Sequence, residues 1–193
     1  MAFTAIEERR RRRAVLARMS SLCRVISGGQ TGVDQMALRV AAAHGLKTGG
    51  SMPCSFMTER GPYRVASAYQ CRALGADYAH LSLAGQYVVR TRNNVNDADA
   101  TLVFIEHASR GTTLTIGHAR KHRSPVLVID VRKRSRDEAV REIVAFVRAT
   151  RVRTLNVAGH RGSVASAEGM LYVEEALGRS FDEVGAPSVP IAE

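Results

Sequence analysis

Short apolar runs alternate along the chain with segments whose apolar residues recur at helical spacing. The runs "LCRVIS" (22–27), "ATLVFIE" (100–106), "PVLVID" (125–130) and "RTLNVAG" (153–159) predict strands. Two of them hold near-continuous apolar stretches, "LVFI" and "VLVI", which suit strands covered on both faces. Asp34 to His44 places Met36, Ala37, Val40 and Ala41 on one helical face, and Gly45 stands where a helix commonly stops. Further helices are predicted over "AGQYVVRTRNNVNDA" (84–98), from Leu114 to about Lys121, over "RDEAVREIVAFVRAT" (136–150), and from Val164 to Leu177. In the helix over 136–150, Ala139, Val140, Ile143, Val144 and Val147 fall at core spacing. "VASAYQCRAL" (65–74) admits a helix, while "KTGGSMPCSFMTERGPYR" (47–64) has no period.

Strands that alternate with helices of this length imply parallel β-α-β units. The expected fold is therefore α/β: an open parallel sheet with helices on both faces, in a single domain over residues 21–178. Residues 1–20 are expected to form a basic N-terminal arm and residues 179–193 a loose C-terminal tail. The 193 residues, 45% of them hydrophobic, suffice for one buried core. No apolar run approaches the roughly 20 residues that cross a membrane as a helix, so no membrane partner is expected. Three scattered cysteines without C-x-x-C spacing suggest a reducing compartment.

Charge changes the picture of partners. The net charge is +10, from 28 Lys and Arg against 18 acids. Phosphate-bearing ligands and nucleic acid are the matching polyanions. Six arginines against two glutamates fall in the first 20 residues. That arm is read either as a solvated helix or as a contact to RNA or a nucleoprotein assembly through residues 1–18. A cytoplasmic location is expected. The mitochondrial matrix is the alternative, because presequences are Arg-rich, although Glu7 and Glu8 count against one.

In open parallel sheets, ligands bind outside the carboxyl ends of the strands. Three loops there share one chemistry: Gly28-Gly29-Gln30-Thr31-Gly32, then Gly111-Thr112-Thr113, then Gly159-His160-Arg161-Gly162-Ser163. Glycine lets a backbone approach a ligand closely, and N–H groups at a helix start attract anions. Thr31, Thr112 and Ser163 offer hydroxyls, and Arg161 a guanidinium fork. The bland reading is that each loop only turns the chain and caps a helix. The first loop is neither G-x-G-x-x-G nor a Walker loop. Asp34, Asp97 and Asp99 are read as caps and turns. His118 and His122 have metal-ligand spacing but no further ligand beside them, so no metal is expected. His160 is read as a loop-packing or phosphate-contacting residue ahead of a general base. No nucleophile and base are recognisably assembled, so no catalytic residue is assigned, and a binding protein is expected ahead of an enzyme.

Four segments, "SGGQTGVDQMAL", "YVVRTRNNVNDADATLVF", "RGTTLTIGHA" and "LNVAGHRGS", occur in an order and spacing that resembles the molybdenum-cofactor carrier proteins. That family lies within the SLOG-type Rossmann superfamily. The likeness covers roughly residues 22 to 175. It implies a Rossmann-like fold, a homo-oligomer, and a pocket for the molybdenum cofactor or another phosphorylated small molecule. By position it assigns Gly28, Gly29, Gln30, Thr31, Gly32 and Asp34 to a first anion loop. It assigns Arg90, Thr91 and Asn94 to a second motif that Asp99 ends. Gly111, Thr112 and Thr115 fall to the second loop, and Gly159, Arg161 and Ser163 to the third. The chain departs from the family where a Gly-Trp-Cys-Pro-Lys-Gly-Arg-like segment and an Ala-Glu-Asp-Gly run are usual. There it reads "GGSMPCSFMTERGPYR", keeping Gly50 and Pro53 but lacking the Trp and the Lys, for which Arg60 or Arg64 could only partly compensate. His160 replaces a common proline. Ligand choice has shifted, or the ligand has been lost and the protein holds none. Two rivals follow: a non-catalytic RNA-contacting subunit of an assembly such as an organellar ribosome, and a nucleotide phosphoribohydrolase-like enzyme. The second lacks the expected glutamate after "SRGTTLT".

Overall fold

Six parallel strands form one sheet, in the spatial order 71–73, 47–52, 24–26, 154–158, 100–105 and 126–130. The computed structural model describes residues 22–184. The strands are β1 (Arg24–Ile26), β2 (Lys47–Met52), β5 (Cys71–Ala73), β6 (Ala100–Ile105), β7 (Val126–Asp130) and β8 (Thr154–Ala158). The helices are α1 (Val33–Ala43), α2 (Leu83–Asn96), α3 (Arg110–Lys121), α4 (Arg136–Thr150) and α5 (Ala167–Val184). A small antiparallel hairpin, β3 (Met57–Thr58) with β4 (Gly61–Pro62), stands apart from the sheet. The expectations about the arm at 1–20, and about RNA contact through residues 1–18, fall outside the described residues.

Alternation along the strands sorts residues between the two faces. Val25, Leu102, Phe104, Leu155 and Val157 point to one side, where α1, α4 and α5 supply Val33, Ala37, Val140, Ile143, Tyr172, Val173 and Phe181. The opposite face carries α2, packed on β2, and α3, packed on β6. Each sheet face therefore has a helical layer, and the fold is α/β and Rossmann-like.

Local chemistry sets the helix ends. Ser135 and Glu138 form a capping box at α4, Ser82 accepts the Gly85 N–H at α2, and Ser109 accepts the Thr112 N–H at α3. The C-terminus of α1 gives way to Gly45 at φ +71°, as its sequence suggested.

Four expectations need correction. Residues 47–52 form β2, although two glycines hide the strand pattern; neighbours β1 and β5 hold it by parallel pairing. Residues 65–74 are turns ending in the short strand β5 rather than a helix. Helix α3 starts at Arg110, one turn earlier than Leu114, because Ser109 caps it. Helix α5 runs on to Val184, so the residues after 178 begin as helix, not as a loose tail; Phe181 and Val184 are buried on its inner face. The basic stretch after β7 is largely paired on its own surface, Lys133 with Asp130, Arg134 with Glu142 and Arg136 with Glu175. The ends of the described domain meet, the Leu22 N–H donating to the Val184 carbonyl at 2.8 Å.

Candidate functional site

The loops after β1, β6 and β8 converge at one edge of the sheet, at the carboxyl ends of these three neighbouring strands. With α2 they enclose a cleft of about 230 Å³. Of the residues singled out in the sequence, Gln30, Asp34, Arg90, Thr91, Gly111, Thr115, Gly159, Arg161 and Ser163 line it. Gly28, Gly29, Thr31, Gly32, Asn94 and Thr112 do not.

The first loop is built for packing. A Cβ on Gly28 would run into the Arg90 guanidinium, and one on Gly29, at φ +63°, into Met52. Gly32, at φ +82°, lies against the backbone of His160 and Gly162, so its missing side chain is what lets the first and third loops touch. The Gln30 side chain is held by protein groups at both its oxygen and its nitrogen. Its Oε1 accepts from the N–H of Thr31 (2.9 Å) and of Glu59 (3.0 Å), and its Nε2 donates to the Tyr87 hydroxyl at 2.9 Å. Asn94 faces β2, where its amide accepts from the Ser51 N–H at 2.7 Å and donates to the Ser51 carbonyl at 3.0 Å. Thr112 exchanges hydrogen bonds with Ser109 within the cap of α3. Asp99 lies at the other end of β6 and accepts the N–H groups of Arg153 and Thr154.

The floor of the cleft is a buried ion pair. Arg90 Nη1 stands 3.3 Å from Asp34 Oδ2, with the two side chains 14% and 5% exposed. Burial pushes the Asp34 carboxyl up, while Arg90 and the Gln30 N–H pull against it. Asp34 lies in the first turn of α1, but Gly32 occupies the cap position, so its carboxylate serves the loop and Arg90 rather than capping the helix. Arg90 packs 5.8 Å from the centre of the Tyr87 ring, and its Nε is buried without a hydrogen-bond partner. Opposite lies the start of α3, whose first N–H groups have no partner within the helix. Arg110 and Gly111 present this turn to the cleft. No Cβ contact would arise at Gly111, which opens on free space.

His160 joins two of the loops. Its Nε2 accepts from the N–H of Glu106 at 3.0 Å and of His107 at 3.4 Å, so the ring proton belongs on Nδ1. The ring stacks on His107 with centroids 4.4 Å apart. Burial and the neighbouring His107 hold its pKa below the ordinary range, which keeps it neutral. With its lone pair committed to backbone, it is poorly placed to act as a base.

A model for the circularly permuted YpsA SLOG family matches residues 25–177. The chain belongs to this SLOG family. A crystal structure from Syntrophus aciditrophicus, named "putative molybdenum carrier protein", superposes on it with a TM-score of 0.73 at 30% identity. The similarity covers 83% of this chain and 96% of that one. No curated protein matches.

Within this SLOG domain, sequence reasoning missed Tyr87, Ser109, Arg110, Leu114 and Val164 as cleft residues. Tyr87 and Arg90 are three apart on one helix face, a spacing that could have paired them. It also missed Glu59. This residue sits at the turn of the β3–β4 hairpin, in the segment that departs from the resembled family. Its carboxylate accepts from the Thr31 hydroxyl, from the Ser163 N–H at 3.0 Å and from the Ser163 hydroxyl at 2.5 Å, and Arg161 Nη1 lies 3.8 Å away. Arg60 and Arg64 do not line the cleft. The altered wall thus brings an anion to the site, not a replacement cation. Among the described residues no cluster of three or more His, Cys, Asp or Glu side chains could hold a metal ion, and no helix is long and apolar enough to cross a membrane.

Proposed function

We propose that this SLOG protein is a carrier that holds a phosphorylated small molecule, with the molybdenum cofactor as its cargo. The observation that carries the reading is the composition of the cleft. Three arginines, Arg90, Arg110 and Arg161, line it together with the first turn of α3, and Asp34 is the one acidic residue in that lining, with Glu59 behind Arg161. Phosphate suits this set, since arginine forks and helix N-termini both favour a compact anion. The Arg90 Nε, buried and without a partner, fits a ligand that brings acceptors to that wall. Arg90 and the Arg110–Gly111 turn would hold the phosphate, while Leu114, Val164 and Tyr87 would lie along the organic part. The Syntrophus aciditrophicus relative, by its name, supports molybdenum-related cargo. Retention and release need no bond to be broken, so groups that bind an anion are enough for this role.

Gly111→Asp tests this reading. A side chain there meets no protein atom, and an acid in the first turn of a helix suits its dipole, so the fold should stand. The new carboxylate would face Arg90 and Arg110 in the cleft. Gently purified wild-type protein, once denatured, is expected to release a pterin-like absorbing species identifiable by mass, and the variant none. Equal ligand release from both proteins would sink the proposal.

A further inference from the structure

The groups around Glu59 are those that bind an oxyanion: two hydroxyls, a backbone N–H from a glycine-rich loop and a nearby guanidinium. Here the protein supplies the oxyanion itself. Ser163 and Arg161 belong at once to the cleft and to this carboxylate, so the two anion positions share a wall. We infer that Glu59 is a resident internal anion that fills a second anion subsite of the cleft, making the protein selective for ligands with one anionic group. A ligand such as a bisphosphate, whose second anion would fall between Thr31 and Ser163, is excluded. This inference rests on the reading of the cleft as a phosphate site.

Three observations favour a fixed carboxylate over one that swings away. The Glu59 side chain is only 15% exposed. Its own N–H donates to Gln30 Oε1, and Gln30 is tied in turn to Thr31 and Tyr87. The turn that carries it is braced by the Thr58 hydroxyl, which donates to the Gly61 carbonyl at 2.7 Å and accepts the Arg60 N–H at 3.1 Å. An incoming anion would therefore either break these bonds together or lie against a like charge.

Binding stoichiometry decides the matter. Equilibrium dialysis with radiolabelled inorganic phosphate, carried into the millimolar range at fixed ionic strength, would compare wild type, Glu59→Ala, and Glu59→Ala combined with Thr31→Val. Thr31 does not line the cleft, but its hydroxyl also accepts the Gly162 N–H at 3.0 Å, so the double variant reports on the second subsite provided that it keeps the single phosphate of the cleft. The expected counts are one phosphate per chain for wild type, two for Glu59→Ala and one for the double variant. Two in wild type would mean that the carboxylate is displaced, and would overturn the inference. One in both wild type and Glu59→Ala would also overturn it and leave the cleft reading standing. None in wild type but one in Glu59→Ala, lost with Thr31→Val, would show that Glu59 blocks an anion site, but would overturn the cleft reading and with it the inference of a second subsite. No binding to any protein overturns both. A second phosphate that survives Thr31→Val overturns the inference as well. Glu59→Ser is read in the same way should the alanine variant fail to melt cooperatively.

Discussion

At Gly32 the backbone takes φ +82°, and the space a Cβ would need is filled by the main chain of the third loop. Backbone cannot move aside as a flexible side chain can. Gly32→Ala is therefore expected to cost about 2 kcal/mol or more of stability, measured by denaturant unfolding; a loss within experimental error would show that the loops part easily. The same logic changes the meaning of Gly29→Asp. An acid placed in an anion loop should repel an anionic ligand, but at this position the side chain would strike Met52 and disturb β2 first. Glu59 supplies a pH prediction. Burial pushes its carboxyl up, but the bonds from Ser163 and Thr31 pull further, and its pKa lies below the ordinary value near 4.5. A lowered folded-state pKa contributes stability that is complete above the unfolded value and lost as pH falls. Wild type should lose more melting temperature than Glu59→Gln between about pH 5 and pH 3. Parallel acid limbs in the two proteins would contradict this. These residues were half-legible. The glycines announced close approach, but a glycine does not say whether ligand or protein comes close. Glu59 reaches a partner 104 positions away, and nothing in its own neighbourhood points there.

Elements show a sharper division. Helix α4 was readable because its apolar residues keep a clean helical stripe and Ser135 and Glu138 mark its start. Strand β2 was not, because "KTGGSM" has little strand propensity of its own and exists by pairing with β1 and β5. Its glycines have a reason in the structure: at Gly50, φ +127°, β2 comes against the backbone of Ser27. A side chain from α2 then completes β2, since Asn94 meets both polar groups of Ser51. Asn94→Ala would leave a buried N–H and C=O without their partner, and is expected to cost about 2 kcal/mol. The checks are a urea midpoint and amide exchange at Ser51, which should speed up in the variant; an unchanged exchange rate would rule out this role. Asn94, expected from resemblance at the ligand, thus positions the wall on which Arg90 and Tyr87 are carried.

For the whole molecule, parallel order followed from strands alternating with helices, but strand order did not. Nothing in residues 153–159 reveals that β8, last in the chain, lies between β1 and β6. A chain ending after Thr150 would lack that strand and α5, leaving β1 and β6 without their shared neighbour and α1 and α4 without the helix that joins them. It is expected to show no cooperative thermal transition by circular dichroism; a native-like melt would mean that the two halves stand alone. The same placement matters on the ribosome. Until residues 154–158 emerge, a growing chain can offer only two part-sheets, β5-β2-β1 and β6-β7, each with a raw edge where β8 belongs. Such edges pair readily with strands of other chains. Premature termination late in this message would therefore release an adhesive fragment, and the cell's burden from it would be aggregation rather than a simple shortage of this SLOG protein.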